Sequence, residues 1–222
     1  MANIKITVWS EFTEPRSVYP NGIHGAVADY LKRDSRLEVR TSQLSDPEQG
    51  LSTDLLQQTD VLVWWGHAKH GEVANERVHR IVEQVRERGM GFVALHSAHY
   101  SKPFQAILDC PGHLGGWREA GEVERIWIVQ PDHPVAKGLP NPIVIESEEM
   151  YSEPFVVPPP EELVMISWFA GGEVFRSACC WHSGKGRVFY FRPGHETYRT
   201  FYHPEVLKVI ANGVLWAARV IG

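Results

Sequence analysis

Gly91-Phe92-Val93-Ala94-Leu95-His96-Ser97-Ala98-His99-Tyr100 is the stretch from which the rest of this chain is read. It opens as a short apolar run, the pattern of a strand buried on both faces of a parallel sheet. The run stops at His96-Ser97, and helical spacing resumes over residues 101–108. Ala94 and Ala98 flank His96 on either side. A sharp strand-to-helix turn that lifts one side chain above a sheet needs small neighbours of this kind. An ordinary buried strand followed by a loop is the competing reading. The turn is favoured because other strands of the chain end in the same way.

Working outward, residues 4–9 form a first strand ending at Ser10-Glu11, and a helix beginning at Gly22 carries His24 in its first turn. Residues 37–41 alternate as a second strand, and Leu55-Leu56 mark a short helix. Residues 60–65 form a third strand ending at Gly66-His67, with His70 three residues later. A helix is predicted over residues 73–88, with Val78, Ile81, Val82 and Val85 on its buried face and Gly89 as its terminator. Strand and helix in alternation predict an α/β fold, a doubly wound and mostly parallel sheet with right-handed crossovers. The pattern then changes. Strands are predicted at residues 122–130, 143–146, 163–168, 173–181 and 187–191, and Gly171-Gly172 and Gly184-Lys185-Gly186 mark antiparallel hairpins. A last helix spans residues 204–220. The whole of 1–222 reads as one domain.

Bulk properties exclude several classes. A net charge of −5 without Lys or Arg runs speaks against nucleic acid as partner. No apolar stretch approaches the ~20 residues of a membrane span, so no membrane partner is expected. The N-terminal residues run directly into a strand, so no signal peptide is expected either. Three cysteines, Cys110, Cys179 and Cys180, argue for free thiols and a cytoplasmic setting. A homo-oligomer is compatible with a chain of this size.

In open α/β sheets, ligands bind beyond the carboxyl ends of the strands. That rim receives Glu11 from the first strand, His67 from the third, and His96, Ser97 and His99 from the fourth. His195 and Glu196 follow the last strand, and the start of the first helix adds His24. His24, His67, His96 and His195 are therefore candidate ligands for zinc or another divalent metal, the expected cofactor if they bind an ion. No nucleotide cofactor is expected. The same imidazoles can act as acid/base groups without metal, oriented by Glu196 or Glu11. His96, His195 and Glu196 are the candidate catalytic groups. Ser97 is a candidate nucleophile, although no residue in the sequence identifies itself as its base. Glu146, Glu148, Glu149, Tyr151 and Glu153 read as a solvated acidic loop after a strand, from which Glu149 and Tyr151 could reach a sugar. Trp65 and His99 are further candidates for substrate contact; for Trp65, burial in the core is the alternative.

Tyr19-Pro20-Asn21-Gly22-Ile23-His24, Leu95-His96-Ser97-Ala98-His99-Tyr100 and Phe191-Arg192-Pro193-Gly194-His195-Glu196-Thr197-Tyr198 resemble the ThuA-like, or trehalose-utilisation, family. That family falls in the class I glutamine amidotransferase-like superfamily. The resemblance extends over nearly the whole chain and implies a three-layer flavodoxin-like core. Amidotransferases place a cysteine at the elbow, where this chain has His96. His195 matches their catalytic histidine by its place after the last strand, but the next carboxylate, Glu196, is adjacent. Without the thiolate the covalent route has no nucleophile, so amidotransferase activity is not expected. The resemblance implies a small-molecule carbohydrate as partner, trehalose or an oxidised (3-keto) derivative. The expectation is an enzyme acting on a sugar at a His-rich site; a non-catalytic sugar-binding module and a Ser97 hydrolase are the alternatives.

Overall fold

A computed structural model describes residues 3–221 of the chain. Its centre is a single nine-stranded sheet. β1 (Ile4–Ser10), β2 (Leu37–Gln43), β3 (Val61–Trp65) and β4 (Gly91–Leu95) run parallel with β9 (Gly186–Phe191). β5 (Gly116–Ile128), β6 (Ile143–Ser152), β7 (Glu162–Trp168) and β8 (Val174–Ser183) extend it antiparallel, giving the order β2-β1-β3-β4-β9-β8-β7-β5-β6. The mixed doubly wound α/β fold matches the sequence reading.

Alternation along the strands divides the core into two layers. Val61, Val63, Trp65, Val93 and Leu95 face α1 (Gly22–Leu31) and α5 (Pro204–Ala217), which contribute Ile23, Val27, Val206, Val209 and Ile210. Leu62, Trp64, Phe92 and Ala94 face α2 (Thr53–Gln57), α3 (Asn75–Glu83) and α4 (Lys102–Leu108), which contribute Leu56, Val78, Ile81, Phe104 and Ile107. β3 and β4 thus bury both faces, which is why residues 91–95 are apolar without alternation. The predicted helix over residues 73–88 is α3 followed by one π turn over Gln84–Arg88, stopped by Gly89 at φ 90°. Glycine occupies that left-handed position at no steric cost.

Two predicted strand limits change, and the change matters for the site. The strand expected at residues 122–130 starts at Gly116, and the one expected at 143–146 continues to Ser152. Glu148, Glu149 and Tyr151 therefore belong to a buried strand and not to a solvated loop. Acidic residues obscured the strand because their burial is compensated by partners distant in sequence. Register shifts between Arg118 and Glu122 and between Glu122 and Glu124 interrupt the β5–β6 ladder. Bulges of this kind bend a ribbon and increase its twist. The far end of the ribbon returns to the parallel strands, where Tyr151 stacks on His96 with ring centroids 5.3 Å apart.

Candidate active site

Register gathers the site. Trp65 pairs with Leu95 and Leu95 with Phe191, so β3, β4 and β9 end level with one another. The next residues along these strands carry the imidazoles. His96 sits at φ 56° at the head of a 3-10 turn over His96–Tyr100. A positive φ is unusual for a residue with a Cβ and marks a strained position held by its surroundings. This is the sharp strand-to-helix turn expected from Ala94 and Ala98. Ring centroids of His67 and His96 are 5.4 Å apart, those of His67 and His195 4.9 Å, and those of His96 and His195 5.5 Å. Three of the four expected imidazoles meet.

Hydrogen bonds assign the ring protons. Ser97 Oγ donates to the Gly66 carbonyl at 2.8 Å, so it accepts from His67 Nδ1 at 2.8 Å. In neutral His67 the Nε2 lone pair is then free, 3.7 Å from Glu196 Oε1. His96 Nδ1 lies 3.1 Å from the Arg192 carbonyl, which can only accept, so its Nε2 is likewise bare. Complete burial, with His67 close by, holds His96 well below the usual imidazole range and hence neutral. Its Nε2 faces the Tyr151 hydroxyl at 3.3 Å and Glu149 Oε2 at 3.3 Å. Glu149 Oε2 is buried without a hydrogen-bond donor, as is Glu196 Oε2. Burial raises the Glu149 carboxyl, while the nearby His195, His67 and Arg192 oppose the shift. Donor atoms of His67, His96 and Glu196 all lie within 4.8 Å of one another.

His195 has a partner in either protonation state. Its Nδ1 is 2.8 Å from Thr197 Oγ1, which donates onward to Glu119 Oε1 at 3.0 Å. The Thr197 amide also reaches Nδ1, at 3.3 Å. The hydroxyl suits a protonated Nδ1 and the amide suits a bare one, as an acid/base group requires.

Behind these groups lies a buried polar frame that sequence reading did not find. Glu148 accepts from the amides of Gly194 (2.9 Å), His195 (3.2 Å) and Glu149 (2.9 Å) and from Thr200 Oγ1 (2.7 Å). Arg192 is fully buried, pairs with Glu124, and donates to the Glu149 carbonyl at 2.5 Å. It thereby ties β6 to the end of β9. Gly194 takes φ 134°, and a Cβ there would lie 2.3 Å from Phe201 Cζ. The available signal was Arg192, a charge placed directly after the apolar run Val188-Phe189-Tyr190-Phe191, since buried charges occur where they are paired.

Several candidates are placed elsewhere. His24 is not among the imidazoles that meet: its Nδ1 bonds Ser10 Oγ at 2.7 Å and its ring packs on Phe12. Glu11 is buried, and its Oε2 accepts the amides of His67 (3.0 Å), Ala68 (2.8 Å) and Lys69 (2.8 Å), so it shapes the loop carrying His67. Trp65 is a core residue whose indole N–H donates to the Gly194 carbonyl at 3.0 Å. His99 is fully buried with Nδ1 on the Gly112 carbonyl at 2.6 Å, and it does not line the cavity. Glu11 and Trp65 lie at strand ends, His99 in the turn after β4 and His24 in the first turn of α1, but the direction of the side chain decides whether each reaches the rim. The cavity itself, of about 220 Å³, is lined by His67, Ser97, His195, Glu149 and Tyr151 from the expected set. His70, Tyr100, Leu114, Trp117 and Glu119 complete the wall.

A family model described as ThuA, trehalose utilisation, matches residues 5–217. The chain belongs to the ThuA family. Among curated proteins none matches it. A ThuA-like protein from Parabacteroides merdae superposes with a TM-score of 0.73 at 18% identity, over 99% of this chain and 91% of that one. One from Bacteroides uniformis superposes at 0.71 and 16% identity, over 97% and 92%. Agd3, a carbohydrate deacetylase, contains a similar fold at 0.63 and 12% identity, over 98% of this chain but 33% of its own. In this ThuA-family chain the elbow carries an imidazole. Cys179 and Cys180 are buried within β8, their thiols raised by burial, and Cys110 follows α4. None of the three stands at the elbow. Among the described residues, no helix is long and apolar enough to cross a membrane.

Proposed function

We propose that this chain is an enzyme acting on a carbohydrate, in which His96 and the surrounding His67, Glu149 and Glu196 supply the ligands of a zinc-type divalent cation and His195 is the acid/base group. One observation carries the reading: His96 Nε2 and Glu149 Oε2 present lone pairs to each other at 3.3 Å inside a buried site, and the oxygen has no donor. Two ligands of a tetrahedral ion with bonds of ~2.1 Å lie about 3.4 Å apart, so this spacing suits a shared cation. The three-residue donor group beside it supplies two bare imidazole nitrogens and a carboxylate, a set suited to zinc. A bound ion of this kind supplies a Lewis acid for a sugar carbonyl or hydroxyl.

The remaining steps belong to the chain. Ser97 and the Arg192 carbonyl take the Nδ1 protons of the two imidazoles and leave both Nε2 atoms bare. Tyr151 supplies a hydroxyl beside His96, and burial holds its proton on by raising it well above the ordinary phenol range. His195 moves a proton between the ligand and the Thr197–Glu119 pair. The carbohydrate assignment follows the family's description, and Agd3 shows that a similar fold occurs in a protein acting on carbohydrate.

Metal analysis of protein from metal-replete growth tests the cation. Stoichiometric zinc or a similar ion is expected, lost in His67→Ala and His96→Ala, and readdition raises the Tm. Saturation at about 100-fold over Kd corresponds to ~2.7 kcal/mol of stabilisation. Substoichiometric metal together with a Tm indifferent to every divalent ion added would overturn the metal assignment.

A further inference from the structure

We infer that Trp117 is the stacking platform of a saccharide subsite at the mouth of this cavity, with Glu119 taking a hydroxyl of the stacked ring. The inference rests on the carbohydrate reading above and gives it a binding residue.

Trp117 is 66% exposed, the most exposed large apolar side chain among the described residues. An indole left in water forgoes a large burial energy, so an isolated position on a cavity wall calls for an explanation. Its neighbours supply one. In the β5–β6 ladder Trp117 pairs directly with Tyr151, whose hydroxyl meets His96 Nε2 at 3.3 Å. Cross-strand partners share a face, so the indole stands in one row with the phenol and the elbow imidazole. Glu119 lies two residues further along β5, and both side chains line the cavity. Its Oε1 already accepts from Thr197, which leaves Oε2 for a ligand.

The other exposed tryptophans make a useful contrast. Trp127 and Trp168 are 43% and 36% exposed and line no part of this cavity, and the Arg125 guanidinium lies 5.4 Å from the centre of the Trp168 ring. Among the exposed tryptophans of the described residues, Trp117 alone shares a cavity wall with carboxylates and hydroxyls. That combination suits a neutral ring with a C–H face and hydroxyl edges. An anionic ligand would face the carboxylates of Glu119 and Glu149, and a wholly apolar one would leave them unpaired. The cavity, about 220 Å³, is smaller than the ~300 Å³ at which typical ligand clefts begin. It therefore suits one sugar ring, with any second unit projecting past Trp117.

The test is calorimetry and tryptophan emission on metal-loaded protein, titrated with trehalose and with glucose at millimolar concentration. Wild type is expected to bind and to shift its emission to the blue as the exposed indole is covered. Trp117→Ala should weaken binding about tenfold or more, Trp117→Phe should recover most of the affinity but not the emission shift, and Trp127→Ala should behave as wild type. Wild-type binding with affinity unchanged in Trp117→Ala overturns the platform and leaves the carbohydrate reading standing. Failure of wild type to bind either sugar overturns both.

Discussion

His99 offers a sharp test of how the elbow is built, because its effect can be worked from the structure and read without a substrate. The ring is fully buried behind the cavity, between Tyr100, Tyr151, Phe155 and Tyr190, and its Nε2 has no partner. Burial pushes its pKa down to about 3, against the opposing bond to the Gly112 carbonyl. An unfolded histidine titrates near ~6.5. The depressed folded value means that the unfolded chain binds the proton first as pH falls. Stability from this group is therefore complete above about pH 6.5 and is lost progressively as pH drops toward the folded value. At pH 5 the loss is about 2 kcal/mol, and for a chain of this length that lowers the Tm by roughly 4–8 °C. His70, pushed down to about 4, adds to the same trend, so the informative quantity is a difference. His99→Asn keeps a donor for Gly112 and cannot titrate. Urea unfolding between pH 7.5 and pH 5 should show a slope in wild type that is about 2 kcal/mol shallower in the variant. Parallel slopes in the two proteins would refute the reasoning, whatever the variant's absolute stability.

Ser97→Ala separates an orienting serine from a nucleophile. Loss of the hydroxyl that fixes His67 Nδ1 should lower zinc affinity ~10–100-fold in a competitive chelator titration, whereas unchanged affinity with all turnover lost would return Ser97 to the nucleophile's role. Arg192→Met leaves Glu124 buried without its counter-charge, and urea unfolding should register a loss of ~3–5 kcal/mol. Adding Glu124→Gln should restore part of that loss. No recovery in the double variant would show that Arg192 acts through the Glu149 carbonyl and the Tyr151 and Phe169 rings instead.

The parallel half of the sheet was legible because its signals are local. Residues 91–95 are apolar throughout because helices cover both faces, and Gly89 and Ser101 punctuate the neighbouring helices with ordinary caps. The convergence of His67, His96 and His195 was also legible, since parallel strands that begin in register end in register. What could not be read is the antiparallel ribbon. Glu148 and Glu149 sit in a stretch whose composition describes a solvated loop. Their burial depends on amides at residues 194 and 195 and on the Arg192 side chain, more than 40 positions away. No period in the local sequence encodes such partners. Trp117 was missed for the same reason, because its strand begins before any alternation of apolar residues does.

The elbow shows how this fold holds an imidazole at the end of a central strand. A nucleophile at this position must point its reactive atom outward and leave its backbone in a strained turn. His96 takes φ 56° and turns Nδ1 onto the carbonyl of Arg192, which follows the neighbouring strand. That bond both holds the ring and fixes its tautomer, so the outward atom is a bare Nε2. Full burial then keeps the ring neutral. A neutral, oriented nitrogen beside two under-satisfied carboxylates is a poor nucleophile toward an amide and a good ligand for a cation. On the proposed reading the elbow imidazole serves a cation, while the strand, the turn and the helix that follow supply the geometry that orients it.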